Sequence, residues 1–248
     1  MTGSSAPLLE VRALSKRFGG FVALDGIDLD VAPGERLGLI GPNGSGKSTL
    51  VNCIAGTFAN DAGQVSFDGR VLDGLPSSTR AHLGLARSFQ LPRPFVSLTI
   101  ADNLRVPLLY TAHRRAGVQR GPAEIAARAE ELLTLVGLAG RGHTLPRDLT
   151  QVDMRKLELA RAMAAEPKLL IADEAMAGLS NSEVEDILRL LQRLNASGVT
   201  IIMIEHIMKA VMSFSQRLVV LVSGRKIADG LPRDVIRNAE VERAYLGQ

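Results

Sequence analysis

Three regimes of apolar and polar spacing follow one another along the chain. In the first ninety residues, Leu8 to Leu14 and Val22 to Val31 carry apolar positions in partial alternation, with Gly19, Gly20, Pro33 and Gly34 as punctuation. That pattern predicts strands joined by turns. A short apolar strand, Arg36 to Ile40, runs straight into Gly41-Pro42-Asn43-Gly44-Ser45-Gly46-Lys47-Ser48. Thr49 to Ala55 predicts a helix that stops at Gly56, and Gln64 to Leu72, with Asp68-Gly69 inside it, predicts a hairpin.

From about Leu98 to Ala165 the period becomes helical. Ala126, Ala129, Leu132, Leu133 and Val136 recur at helical spacing, Gly137 marks a C-terminal stop, and a second helix is predicted to begin near Thr150. The remainder alternates. Leu169 to Ala172 reads as a strand, Val184, Ile187, Leu188, Leu191 and Leu194 share one helical face, and Thr200 to Ile204, Arg217 to Val222 and Lys226 to Asp229 read as further strands. Such alternation implies crossover units and a largely parallel sheet. No internal repeat or low-complexity tract interrupts it, and only Met1 to Ala6 reads as a loose tail.

Composition narrows the class. With 46% hydrophobic and 22% charged side chains in 248 residues, disorder, collagen and coiled coil are excluded. The single cysteine, Cys53, can form no internal disulfide and no cysteine-rich metal site, which fits a reducing compartment. Arg12, Lys16 and Arg17 interrupt Met1 to Phe18 before an apolar run develops, so no secretory signal is expected. No stretch approaches the roughly 18 apolar residues of a membrane span. The formal net charge of +3 is a weak basis for nucleic-acid binding, and 4% aromatics without tryptophan give little to stack bases on. The clearest local imbalance runs from Leu91 to Arg120, where Arg93, Arg105, Arg114, Arg115 and Arg120 face only Asp102. A solvated loop is one reading, and contact with an acidic surface or lipid headgroups is the other.

Gly41 to Ser48 matches G-x-x-x-x-G-K-[ST] in full, after a strand and before a helix. Its glycines let successive backbone N–H groups turn inward at phosphate oxygens, and the following helix adds its positive end. Lys47 can reach the β and γ phosphates and the Ser48 hydroxyl can ligate Mg²⁺. Downstream, Lys168 to Ala172 is an apolar run ending in Asp173-Glu174. Ligands of such sheets sit at the carboxyl ends of strands. Asp173 is placed to hold Mg²⁺ through its water shell. Glu174, read as pointing to the opposite side, is placed to polarise an attacking water. Ile201-Ile202-Met203-Ile204-Glu205-His206 ends in a histidine on the same sheet edge.

The order of Gly41 to Ser48, Gln90 after Gly84-Leu85-Ala86-Arg87-Ser88-Phe89, the helix Leu157 to Ala162, Asp173-Glu174 and His206 resembles the nucleotide-binding subunits of ABC transporters, over essentially the whole chain. Ser15 to Leu24, Gly84 to Gln90 and the ending Gly230 to Gly247 are similar to the branched-chain amino acid importer branch. The resemblance implies an α/β P-loop NTPase of the ABC ATPase type. Its mainly parallel core sheet would carry an N-terminal antiparallel β part and a helical subdomain. Residues 1–90 and 166–248 would form the nucleotide-binding core, and residues 91–165 the helical subdomain. It implies ATP and Mg²⁺ held by Gly41, Pro42, Asn43, Gly44, Ser45, Gly46, Lys47, Ser48 and Thr49, with Phe18 stacked on adenine. Ser48, Gln90 and Asp173 would serve the metal. Catalysis would fall to Glu174, to His206 on the γ-phosphate, and to Gln90, which joins Mg²⁺ and the lytic water and senses the membrane partner.

The implied partners are a second ATPase subunit, two membrane permeases and, indirectly, a periplasmic substrate-binding protein, with no nucleic acid. The implied location is peripheral, on the cytoplasmic face of the inner membrane. An export or lipid-moving ABC subunit is an alternative with the same ATPase chemistry. A soluble ABC ATPase acting on nucleic acid fits less well. Chromosome proteins need a long coiled-coil insertion for which Ser48 to Asp173 has no room, and translation factors usually carry two such domains.

Where the family presents Leu-Ser-Gly-Gly-Gln to the ATP of its partner, this chain has Leu149-Thr150-Gln151-Val152-Asp153. Both glycines are gone, Val152 is β-branched where backbone must approach phosphate, and Asp153 brings a negative charge. Thr150 and Asp153 instead have the spacing of a capping box opening a helix, so the helix is expected to persist. Ala175 stands where proline usually follows the glutamate, and Ser180 replaces an acidic or amide residue. The elements acting on this chain's own ATP are intact and those offered to a partner are altered, which predicts an asymmetric pair with a different ATPase subunit.

Overall fold

The computed structural model describes residues 6–88, 92–112 and 120–246; Gln90, and Arg114 and Arg115 of the basic stretch, lie outside the described residues. The chain runs through β1 (Leu9–Phe18), β2 (Phe21–Val31), β3 (Arg36–Ile40), α1 (Lys47–Ala55), β4 (Ala62–Phe67), β5 (Arg70–Val71), α2 (Ser77–Leu83) and β6 (Leu85–Ser88). It continues through α3 (Ile100–Pro107), α4 (Pro122–Leu135), α5 (Gln151–Ala164), β7 (Leu169–Asp173), α6 (Asn181–Ala196), β8 (Thr200–Ile204), α7 (Met208–Phe214), β9 (Arg217–Val222) and β10 (Arg225–Gly230). Two short helices, Pro232–Val235 and Ala239–Leu246, close it.

Two sheets result. The first is antiparallel, in the order β2-β1-β4-β5, and the second has six strands in the order β10-β9-β3-β8-β7-β6. Pairing from β9 across to β6 is parallel. Only β10 departs, running antiparallel to β9. The final strand therefore does not extend the crossover pattern. Ser223 and Gly224, both at positive φ, leave a two-residue turn that can join only antiparallel neighbours.

The apolar runs of the central strands are continuous because both faces are covered. On β7 and β8, Leu169, Ile171, Ile202 and Ile204 face a core shared with the antiparallel sheet and α1, whose members include Leu9, Leu14, Leu50 and Ile54. The alternate positions Leu170, Ala172, Ile201 and Met203 face the other core, with Leu104, Leu132 and Leu157 of α3, α4 and α5 and Leu191 of α6. This packing brings the helices of the middle region over the sheet beside β7. At the centre, β3 lies between β8 and β9, so its carboxyl end at Ile40 opens onto the middle of the sheet edge.

Candidate functional site

The loop after β3 is shaped by close backbone approach. A Cβ on Gly41 would lie 2.2 Å from the Leu221 carbonyl oxygen, and one on Gly46, at φ +103°, would lie 2.8 Å from that of Ala23. Only glycine fits either position. Backbone bonds hold the loop from behind, since Gly224 N–H donates to the Ser45 carbonyl at 3.0 Å and Asp25 N–H donates to the Gly224 carbonyl at 2.9 Å. The N-terminus of α1 has no side-chain cap and no acid in its first turn. Its amides and its dipole are thus available to an anion.

Lys47 is buried and its ammonium donates to the carbonyls of Gly41 at 2.7 Å and Pro42 at 3.1 Å. Burial lowers its pKa, and the charges of Glu174 and Asp173 oppose that shift, which sets all three groups in one electrostatic neighbourhood. Asn43, Gly44 and Ser48 are exposed along the loop, and Thr49 is half-buried.

Asp173 ends β7 and is buried, with Arg87 Nη2 on its Oδ2 at 2.7 Å. The same guanidinium donates through Nη1 to Asn52 Oδ1 on α1 at 2.6 Å. Arg87 therefore ties the acidic strand to the phosphate-loop helix, a role that no sequence pattern announces. The signal was available only as a charged residue at an inner position of the short strand β6.

Glu174 has left the strand. Its φ is +49°, its N–H donates to the Ile204 carbonyl at 2.9 Å, and its Oε1 lies 3.1 Å from Nε2 of His206. The structure thus joins two residues that the sequence placed only on a common edge. Next to His206, Glu205 is 3% exposed and accepts the Met176 N–H at 2.8 Å. Burial raises the pKa of its carboxyl, while the Met176 and His206 amides draw it back down. Phe18 stands on the antiparallel sheet, exposed, with its ring edge-on to Phe58 at 5.4 Å and Lys16 Nζ 5.5 Å away. Phe58 lies in the connection between α1 and β4 and Lys16 on β1, and these contacts leave Phe18 partly exposed, with surface open to a planar ligand.

A hydroxyl at Ser48 and a carboxylate at Asp173 are hard oxygen donors of the kind Mg²⁺ selects. Among the described residues no cluster of three or more His, Cys, Asp or Glu could hold a metal. The donor set fits an ion that keeps water and phosphate ligands.

The segment Leu149 to Asp153 is built differently. Thr150 caps α5, its Oγ1 accepting the Asp153 N–H at 3.2 Å, and the expected helix is present. The Asp153 carboxylate turns to Arg141 at 2.7 Å, with Lys156 at 3.9 Å. Burial pushes the Asp153 pKa up, but hydrogen bonds from Arg141 and Thr150 outweigh it and the net direction is down. Ser180 likewise serves its own helix, closing a capping box with Glu183 at the start of α6. In the middle region Arg120 pairs with Glu166 and Arg105 with Asp102.

Between the core and the helices lies a cavity of about 460 Å³, lined by Ala55, Arg87, Phe95, Val106, Tyr110 and Arg161 among others. Phe95, Val96 and Tyr110 are exposed nearby, at 44%, 70% and 64%.

A sequence model described as ABC transporter matches residues 24–177. The high-affinity branched-chain amino acid transport ATP-binding protein LivG of Escherichia coli (strain K12) is 36% identical over 98% of this chain and 99% of its own length. BraF of Pseudomonas aeruginosa, of the same description, is 37% identical over 98% and 99%. A ribose import ATP-binding protein, RbsA 1 of Rubrobacter xylanophilus, is 37% identical over 89% of this chain but 44% of its own length. Among solved structures, the ADP conformation of MJ1267, an ATP-binding cassette of an ABC transporter, superposes with a TM-score of 0.88 at 29% identity, covering 98% of this chain and 100% of that one. A dimeric post-hydrolysis state of the cassette MJ0796 with ADP and Pi gives 0.80 at 25% identity, over 91% and 99%.

Proposed function

Because the chain belongs to the ABC transporter family of ATP-binding cassettes, which hydrolyse ATP to drive transport, we propose that it powers an importer of branched-chain amino acids or a related small acid or amide. The observation that carries the substrate class is identity of 36–37% to LivG and BraF over nearly the whole of each chain. Among the described residues no helix is long and apolar enough to cross a membrane. In this reading, which rests on the likeness to LivG and BraF, the chain works from the cytoplasmic face of the inner membrane, against permease subunits. The cavity lined by Phe95, Val106 and Tyr110, with exposed Val96 next to Phe95 in the chain, suits a helix from such a permease.

The site supports distinct roles for its residues. Lys47 exchanges the carbonyls of Gly41 and Pro42 for the terminal phosphates of ATP, and the loop and α1 amides take the remaining oxygens. Ser48 and Asp173 would hold Mg²⁺, which supplies charge neutralisation on the phosphates. Glu174 orients and deprotonates the attacking water, His206 holds Glu174 and faces the γ-phosphate, and Phe18 stacks on adenine. Gln90, outside the described residues, completes the set on sequence grounds.

The partner ATPase is a different subunit, since the segment 149–153 closes on itself through Thr150, Arg141 and Lys156. Isolation of the complex on a tagged copy of the chain, followed by uptake of labelled leucine and labelled ribose into vesicles containing it, tests the reading. Leucine uptake that needs the chain and its ATP supports it. Ribose uptake instead would move it to the sugar importers represented by RbsA 1.

A further inference from the structure

Beneath the edge that carries Glu174 and His206, two buried opposite charges grip one short stretch of backbone. Glu205, just past β8, accepts the Met176 N–H at 2.8 Å. Arg155, on α5 and 6% exposed, donates through Nη2 to the Ala177 carbonyl at 3.2 Å. Consecutive residues are thus held by a carboxylate from the sheet and a guanidinium from the helical region. The two charges attract each other, and Arg155 also faces Glu158 and Glu174.

The gripped stretch begins at Glu174, whose φ of +49° is unusual for a residue with a side chain. Such a backbone persists only where its surroundings over-determine it. Ala175 has no ring to fix the turn, so non-covalent contacts must do so. The Ile204 carbonyl takes the Glu174 N–H at 2.9 Å, and Glu205 takes the Met176 N–H two residues on. Buried ion pairs add little stability over an apolar pair of the same volume. A core that retains these two charges gains a fixed geometry from them.

We infer that Glu205 and Arg155 are positioning residues for Glu174, fixing the turn 174–177 so that its carboxylate stays against His206 and in line with the phosphate loop. The inference rests on Glu174 being the base of the hydrolysis.

The test uses the transporter complex isolated on a tagged copy of the full chain, carrying Glu205→Leu, Arg155→Met, both together, or Glu205→Gln, with Glu174→Gln as reference. Glu205→Leu should lower kcat by roughly ten- to a hundredfold, as displacement of a reacting group by about an ångström does, with KM for ATP within about twofold of wild type. Glu205→Gln retains an oxygen for the Met176 N–H and should keep more of its kcat than Glu205→Leu. The double variant removes both charges, and buried Glu158 keeps Arg161 at 2.9 Å, so the double variant should melt higher than either single variant while its kcat stays low. Amide exchange over 174–179 should accelerate in Glu205→Leu. Wild-type kcat in Glu205→Leu, or kcat recovering with melting temperature in the double variant, overturns the inference. If Glu174→Gln turns over normally, the base assignment falls instead, and exchange over 174–179 then decides whether Glu205 holds the turn; unchanged exchange rejects that also.

Discussion

The loop at 41–48 and the segment at 149–153 both open a helix, and they use the helix start in opposite ways. At α1, glycine precedes the first turn, no side chain caps it, and the nearest lysine rests on carbonyls it can release. At α5, Thr150 occupies the orphan amide of Asp153, and the Asp153 carboxylate is bound to Arg141. The first arrangement leaves donors for an incoming anion, whereas the second spends them internally. A helix N-terminus thus offers more to an anion where its own sequence leaves it uncapped and free of acid.

The most severe disturbance of the nucleotide site that the first region serves is Glu174→Gln. Turnover should fall by roughly 10²–10⁴, the span of a lost general base, with ATP affinity retained. Rapid-quench turnover and equilibrium nucleotide titration read the two quantities, and normal turnover would remove Glu174 from that role.

Converting the second region into the first should have the next largest effect. Thr150→Ser, Gln151→Gly, Val152→Gly and Asp153→Gln together restore backbone approach, and the chain without a partner should gain roughly tenfold or more in ATPase, since single oxyanion-type donors carry at least that much. Each new glycine costs about 1 kcal/mol inside a helix, so melting must be followed in parallel. High activity of the wild-type chain alone, rising with the square of its concentration, would erase the contrast between the regions.

Smaller changes sharpen it. Thr150→Ala should destabilise the fold by about 1 kcal/mol, as caps do, without altering ATP affinity. A shift in affinity as large as the shift in stability would place nucleotide at this end of α5. Phe18→Ala should weaken ATP binding a few-fold, about 1 kcal/mol for one stacked ring, and no loss would move the adenine to Phe21 or another residue.

Acid should show the smallest effect. The Asp153 pKa lies below its ordinary 3.8 in the folded chain. Its ion pair therefore contributes stability above that value and loses it as the pH falls through the lower folded one. As the pH falls below the ordinary 3.8, wild type should lose melting temperature more steeply than Asp153→Asn, and parallel slopes would show that the pair contributes nothing.

Arg36–Ile40, Thr200–Ile204 and Arg217–Val222 emerge with the bounds read from the sequence, because strands buried on both faces are unbroken apolar runs and each opens on a single polar residue, Arg36, Thr200 or Arg217. Asp173 and Lys47 were legible for a related reason, since each ends or follows such a run. What the sequence hid is what crosses it. Arg87 on Asp173, His206 on Glu174 and Arg141 on Asp153 join positions that no local period relates. Strand β6 is four residues long with a charge inside it, too short and too polar for its pattern to mark a strand. The helices α2 and α7 each span seven residues, too few for an apolar face to repeat.

The bond from Gly224 to Ser45 orders events in time as well as space. The phosphate loop is among the first fifty residues made, yet both neighbours of β3 and the amide that closes the loop from behind come from the last fifty. At about 5–20 residues per second, roughly ten to forty seconds of synthesis separate the loop from its final contact. The nascent chain passes that interval with an apolar strand unpaired and no nucleotide pocket, so ATP acts as a ligand only of a nearly finished polypeptide. Ribosome-bound chains ending before Arg217 should accordingly bind chaperones and no ATP.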